Sequence, residues 1–552
     1  MITSLLSLLS AAGPAGPAPA LPPTPAFHAI AFVTDPLSHG MVGDSLLSLN
    51  ECIQLHNGTL LVTQLSPAEQ IQVSLLPGTG LNANVTWIEI DSEATPTITI
   101  QQDLESIIDT PFGLFIRGSG GAAVLDFSAP AATRGMHSTS NNLILQGLVF
   151  QDAPYGLDVV QTDVTGQPGC TLSDCSFENL PQFGVRVTGS LAGGVGRLIM
   201  EDCLFDNVGD AVAVHETAAD RTTIFESRDV QILGATNGFD FAVGTGGTAR
   251  FTLDRVIVEC TGVGIDLVAP NTNGRPLLLE GTHTRVRAAT CARLDGANDA
   301  VTWMQCAMWN LLATPGGTAL ELGANGNQVY GAINEFRCVG DVTIATGGTV
   351  LPLNVRNMRS KDGTVTMSTS TTQTLAVTES RFSNCTTETT GTGSVSIADS
   401  CFIGGVLGGS SPAGSLLVSN SFIDNAGAGV TATQSLPQAQ LGAMEVSPDD
   451  PALGSPITFV ADLPAGLACV FVLGEVAPIV PLLPSPFFVY VEPLQFVSLA
   501  GVYTGQQSTS WSAPNLPQFR GYDLVVQQVV LPLASTQAPS LQLPPGWRFV
   551  LQ

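Results

Sequence analysis

The chain has 552 residues, enough for several domains or for one long repeat array. It carries 46 Asp and Glu against 19 Lys and Arg, a formal charge of −27, and Lys361 is its one lysine. That balance excludes the clustered cations by which proteins neutralise nucleic-acid phosphates or dock on anionic lipid. Hydrophobic residues at 44% exclude a disordered chain, and the wealth of Val, Thr, Gly, Asn and Ser predicts strands and turns.

Residues 2–12 form an apolar run too short to span a bilayer, and Ala18-Pro19-Ala20 offers a small-x-small cleavage site. No Lys or Arg precedes the run. Although the n-region lacks this positive charge, the run and cleavage site lead us to expect residues 1–26 to be a secretory signal peptide and a Pro/Ala-rich linker, which implies a secreted or cell-surface protein. Residues 470–491 are apolar but carry Glu475 and Pro478, Pro481, Pro484 and Pro486, so no membrane span is predicted. Of the 11 cysteines, Cys170 and Cys175 are nearest in sequence, and no metal-type spacing occurs.

A strand is predicted over 27–34. Leu46, Leu47, Leu49, Ile53 and Leu55 then give a helical stripe, with Asp44 or Ser45 as N-cap and Asn57-Gly58 as the stop. Strands follow over 71–76, 85–90, 97–100, 113–117 and 123–127. A turn at Ser140-Asn141-Asn142 precedes a strand over 143–150, a turn over 151–155, and a second strand opened by Gly156.

This strand–turn–strand pattern repeats. A buried anchor with an apolar residue two places on can be followed through Cys175, Cys203, Val230, Val256, Val286, Cys306, Cys338, Met358, Ser380, Ser400 and Ser421, about 25 residues apart. Asn179, Asn207 and Asn425 turn the chain, and Gly184, Gly209, Gly238 and Gly264 open the next strand. An antiparallel sandwich would show turns every 8–12 residues or so without this echo. Period and alternation together predict a solenoid of stacked parallel coils.

The strand followed by Ser48-Leu49-Asn50-Glu51-Cys52-Ile53 resembles the N-terminal cap of secreted β-helix proteins with a "SLREAI"-type signature, with Asn50 and Cys52 in place of its Arg and Ala. Residues 97–150 are similar to the first coils of that family. The resemblance, to the pectin-lyase-like group, implies an all-β, right-handed parallel β-helix over 27–435. From 441 to 552 the chain turns Pro-rich with longer alternating strands, as in SPITFVADL, ACVFVLG and YDLVVQQVVLP. This predicts a small Ig-like β-sandwich. It resembles C-terminal modules of secreted bacterial β-proteins that open on GSPITF and close on a strand such as 522–530.

Many members of the resembled group bind or cleave acidic polysaccharides, but a fold does not convey an activity. The strongest acidic group runs from Glu201 to Asp210 and on to His215-Glu216. Stacked coils would set Asp174, Asp202 and Asp229 in one row and place Asp210, Asp240 and Asp266 on strands just after opening glycines. Two carboxylates roughly 5–10 Å apart suit glycoside hydrolysis, and three could hold Ca²⁺; no other cofactor is implied. The candidate catalytic residues are Asp210, Asp202 and, as general base, His215. Asp240, Asp266 and Arg186 are the candidate substrate contacts. The plainer account is that Asp and Asn form turns.

Gly209-Asp210-Ala211 stands where hydrolases of this fold carry Gly-Asp-Asp, no Gly-His-Gly occurs, and Arg359-Ser360-Lys361 lies several coils further on. Arg255, Arg285 and Arg287 fall in no lyase motif. His28, His39, His56, His137 and His283 are scattered. Trp303 and Trp309 could stack on sugar or fill the core. Two readings follow: a structural or adhesive surface protein offering its flank to polysaccharide or a cell-surface glycan, and a polysaccharide lyase or glycoside hydrolase. A multimeric fibre is a third; a trimerisation tail would distinguish it.

Overall fold

The computed structural model describes residues 29–423 except 40–42, 76–83, 163–168, 190, 217, 270–275, 297–300, 324–327, 347–351, 370–373, 399, 404, 410–414 and 420. Beyond these it describes 430, 444–447, 454–462, 467–481, 488–491, 497–504, 506–512, 523–532 and 547–550. The expected leader over 1–26, Asn425 and the boundary near 435–441 lie outside the described residues. Strands pair in parallel, coil on coil, as a β-solenoid of about 9 turns with a spacing of about 27 residues. The expected parallel β-helix is therefore the fold. The chain divides into two compact units, Met1–Val187 and Thr188–Gln552.

The first unit opens on Ala29–Val33, which pairs antiparallel with Val73–Leu75 and parallel with Trp87–Asp91. The intervening helix, Leu49–Asn57, is capped by Ser48 rather than by Asp44 or Ser45. Ser48 Oγ accepts from the Glu51 N–H at 3.3 Å, and the Glu51 carboxylate accepts from the Ser48 N–H at 2.9 Å. This reciprocal pair satisfies two donors that a helix end otherwise leaves open. Gly58 closes the helix at φ 73°, a left-handed turn that glycine adopts without strain. A four-residue helix, Pro67–Gln70, occupies the approach to the expected strand at 71–76, which begins at Val73.

The coils then stack in register. Ile88, Ile116, Leu145 and Leu172 form one fully buried column. Ile98, Leu125, Phe150 and Phe177 form another, in which the last two rings stack at 5.0 Å. The segment 143–150 is two strands, Asn142–Gln146 and Leu148–Gln151, hinged on Gly147 at φ 63°. A left-handed residue there bends the chain between two faces of the coil.

In the second unit the same corner recurs at Asp202, Asp229, Arg255, His283, Met308, Glu335, Asn357 and Glu379, all at φ between 52° and 59°. Inside, Phe205, Ile232, Val258, Val286, Leu311, Cys338, Ser360, Phe382 and Phe402 share one column. Three expected anchors are thus corrected. Val286 and Cys338 occupy the column of the residue two places on, and Cys306, registered with Gly281, lies three residues before the anchor on the same strand. The anchors at those coils are Thr284 and its partner Trp309, and Phe336, which stacks on Trp309 at 5.2 Å. The slip arises because the anchor changes chemical type, from Cys and Val to Thr, Trp and Phe, while the coils there keep their length. Hydrogen bonds between neighbouring coils span 26–28 residues early in the unit and 20–22 beyond Phe336.

Among the described residues nine cysteines are free, Cys170 and Cys175 included, and all but Cys260 are buried. Burial pushes the Cys175 thiol up to about 12. Among these residues no helix is long and apolar enough to cross a membrane. Beyond Ile423 the pairing becomes antiparallel. Met444–Ser447, Pro456–Asp462 and Gln506–Ser512 form one sheet. Leu467–Pro481 pairs with Phe488–Val491, Val497–Thr504 and Asp523–Pro532, and the last pairs with Trp547–Val550.

Candidate functional site

Asp202 sits at a coil corner of the second unit, its N–H donating to the Arg228 carbonyl at 3.1 Å. The corner one coil on is Asp229, whose carboxylate is held by both Nε and Nη2 of Arg255 at 2.6 Å. Arg255 also donates to Asp254 at 2.8 Å, and Arg228 lies within 3.8 Å of Glu201 and Asp254. The expected acidic row thus runs through Asp202 and Asp229 to Arg255, and the adjacent column, Glu201, Arg228 and Asp254, alternates in charge. Its exposed pairs contribute on the order of 0–1 kcal/mol each.

Asp210 accepts from Asn237 Nδ2 at 2.8 Å, and Asn237 Oδ1 in turn accepts from the Val263 N–H at 2.9 Å. Asp240 and Asp266 are direct register partners, but the partner of Asp240 on the preceding coil is Ala213. Asp210 therefore stands outside their column: the glycine before it, Gly209, is not equivalent to Gly238. His215 Nε2 lies 2.8 Å from Asp240 Oδ2. Asp266 is gripped through both oxygens by Arg293, a bond that raises the guanidinium pKa. The flank thus brings His215 together with Asp240 and ties Asp266 to a cation. Among the described residues no group of three or more His, Cys, Asp or Glu could hold a metal ion.

Arg186 belongs to the first unit and to a richer constellation. Its Nε and Nη2 donate to the two oxygens of Asp158 at 3.0 and 2.8 Å. The Asp158 side chain is 10% exposed and that of Arg186 40%, so the carboxylate is fixed beneath an accessible guanidinium. The Arg186 guanidinium carbon also lies 4.3 Å from the centre of the Phe183 ring, and Phe183 stacks on Tyr155 at 4.7 Å. Such cation–π and stacked contacts fix the rings in place.

His137 is the register partner of Asp158, and its Nδ1 lies 3.1 Å from Ser106 Oγ. Burial lowers the His137 pKa, against the raising effect of Asp158. Burial and then Asp158 push the Tyr155 phenol up. Arg134 donates to the Leu104 carbonyl and to Ser106 Oγ, and its Nε lies 3.7 Å from Asp103. Asp103 accepts from Thr133 Oγ1 and from the Thr133 and Arg134 N–H groups.

Of this group, sequence reasoning singled out only Arg186 as a site residue. The readable signal was spacing: Asp158 and Arg186 are opposite charges 28 residues, or one coil, apart. Tyr155 and Phe183 are separated by the same interval. Trp309 is buried at 1% exposure in the core, whereas Trp303 lies on the outer surface with its ring edge-on to Tyr330 at 4.9 Å.

No family model and no curated protein matches the chain. Among solved structures, a mutant tailspike protein of E. coli bacteriophage HK620 aligns at 11% identity over 77% of this chain and 79% of that chain. Its TM-score is 0.21, too low to bear on fold or function.

Proposed function

We propose that this is an extracellular or surface β-helix protein that binds polysaccharide along an outward flank of its coils. Parallel strands about 4.8 Å apart offer outward side chains at a regular pitch, which suits an extended polymer. The observation that carries the reading is the Arg186–Asp158 fork beside half-buried Tyr155, whose ring is held by its stack on buried Phe183. It joins an aromatic ring to fixed donors and acceptors, the combination by which an amphipathic ligand is held. The secretory leader, the N-terminal cap and the C-terminal sandwich belong with the same reading. The test is binding of the full chain to a panel of polysaccharides. Tyr155→Ala and Arg186→Ala should each weaken binding about tenfold or more; unchanged affinity in both would remove the site.

The second reading, a lyase or hydrolase, draws on His215 and Asp240. A carboxylate hydrogen-bonded to an imidazole can orient it as a general base. Depolymerisation assays on the wild type, His215→Ala and Asp240→Asn decide it. Cleavage that depends on both residues would favour the enzyme.

A further inference from the structure

We infer that the first-unit site takes an uncharged sugar residue, an inference that rests on the polysaccharide-binding reading and narrows it. The charges around the rings cancel. Asp103 stands against Arg134, and Asp158 against Arg186. Burial biases His137 toward its neutral form and Tyr155 toward the neutral phenol.

The cations are also engaged. The Nε and Nη2 edge of Arg186, the fork that would clasp a carboxylate or sulfate in two parallel bonds, is filled by Asp158. Arg134 Nη2 is occupied by the Leu104 carbonyl and Ser106 Oγ. What remains toward solvent is a set of single N–H donors beside carboxylate acceptors. A sugar hydroxyl both donates and accepts, so it can satisfy one of each.

A uronate or sulfate would instead meet cations whose charge is already compensated, on a chain whose formal charge is −27. Like charges juxtaposed across an interface cost affinity and slow encounter. The local pairing and the overall field therefore select against polyanions.

The experiment presents the full chain with neutral polymers (dextran, amylose, galactomannan, arabinoxylan) and with polyanions (polygalacturonate, alginate, dextran sulfate). Affinity is measured at low and at high NaCl. The expected result is binding to at least one neutral polymer, with less than about a twofold change across that salt range, since no ion pair to ligand is screened. Tyr155→Ala should weaken it about tenfold or more. Asp158→Asn should add what the wild type lacks: salt-sensitive binding of dextran sulfate to an uncompensated Arg186. If Asp158→Asn does not fold, Asp103→Asn makes the same switch on a more exposed pair.

Preference of the wild type for a polyanion, falling steeply with salt, would overturn the inference while leaving the polysaccharide reading in place. Binding to no polymer at all would overturn both.

Discussion

Gly189 backs directly onto the Glu216 carboxylate. A Cβ at this position would fall well inside contact distance of Glu216 Oε2 and of Arg221 Nε. Those two atoms form an ion pair at 2.6 Å, with side chains 1% and 0% exposed. Burial pushes the Glu216 carboxyl up, against the lowering effect of Arg221. Such a pair is sustained only while both partners are present and the space around them is kept.

Removing one partner should therefore cost more than its exposed counterparts. Glu216→Ala leaves Arg221 buried and unpaired, and is expected to destabilise by about 3–5 kcal/mol. Gly189→Ala should cost about 1–3 kcal/mol through overpacking. Glu280→Ala, which breaks the exposed pair with Arg250, should cost less than about 1 kcal/mol. Urea unfolding midpoints of the three variants check the order; equal shifts would mean that the interior pair is not what holds this corner.

A second device lies at the last described coils. The Met358, Ser380 and Ser400 N–H groups donate to the hydroxyls of Ser380, Ser400 and Ser421, at 3.1–3.2 Å. Each hydroxyl donates in turn to the carbonyl two residues before it. All three serines are buried. Ser400→Ala should leave the Ser380 N–H without its acceptor and cost about 1–3 kcal/mol. Urea unfolding measures it, and a loss near zero would mean that the N–H finds another acceptor.

The solenoid was legible because its chemistry repeats: the buried alternation around Cys203, Val230 and Val256 survives every change of loop. Register was lost where the anchor becomes Thr284, Trp309 or Phe336, which share no chemical type. The left-handed corners were hidden for the same reason. Asp202 and Asn357 suit positive φ, but Arg255, Met308 and Glu335 occupy equivalent corners because the coil, rather than the residue, dictates the bend. The candidate site was less legible still. Arg186 finds Asp158 only after the chain has made a full turn, so neither neighbour in sequence marks the pair.

The two tryptophans separate core from surface on the same strand, Val301–Leu322. Trp309 is stacked on Phe336 in the interior, so Trp309→Ala should cost about 3–5 kcal/mol. Trp303, on the outer surface, should cost about 1 kcal/mol or less when replaced by Ala, near the loss of one edge-to-face contact. Comparable losses at both positions would contradict the alternation that puts Thr302 and Met304 inside.

Acid should act first on the first unit. His39, His56 and His137 all lie there, and burial lowers each pKa below the ordinary 6.5. An imidazole that stays neutral when folded but takes a proton when unfolded makes the unfolded chain bind more protons as pH falls below about 6.5. Stability is then present above that pH and is lost as pH falls from there toward the folded pKa values. His56 carries the largest burial of the three, with Nδ1 fixed 2.7 Å from the Val85 carbonyl oxygen. Amide hydrogen exchange at pH 7.5, 6.0 and 5.0 should show the strands around Trp87–Asp91 opening more readily with acid. His56→Gln lowers stability at every pH but should flatten that dependence, because the titrating group is gone; an unchanged slope would assign the acid response to other groups.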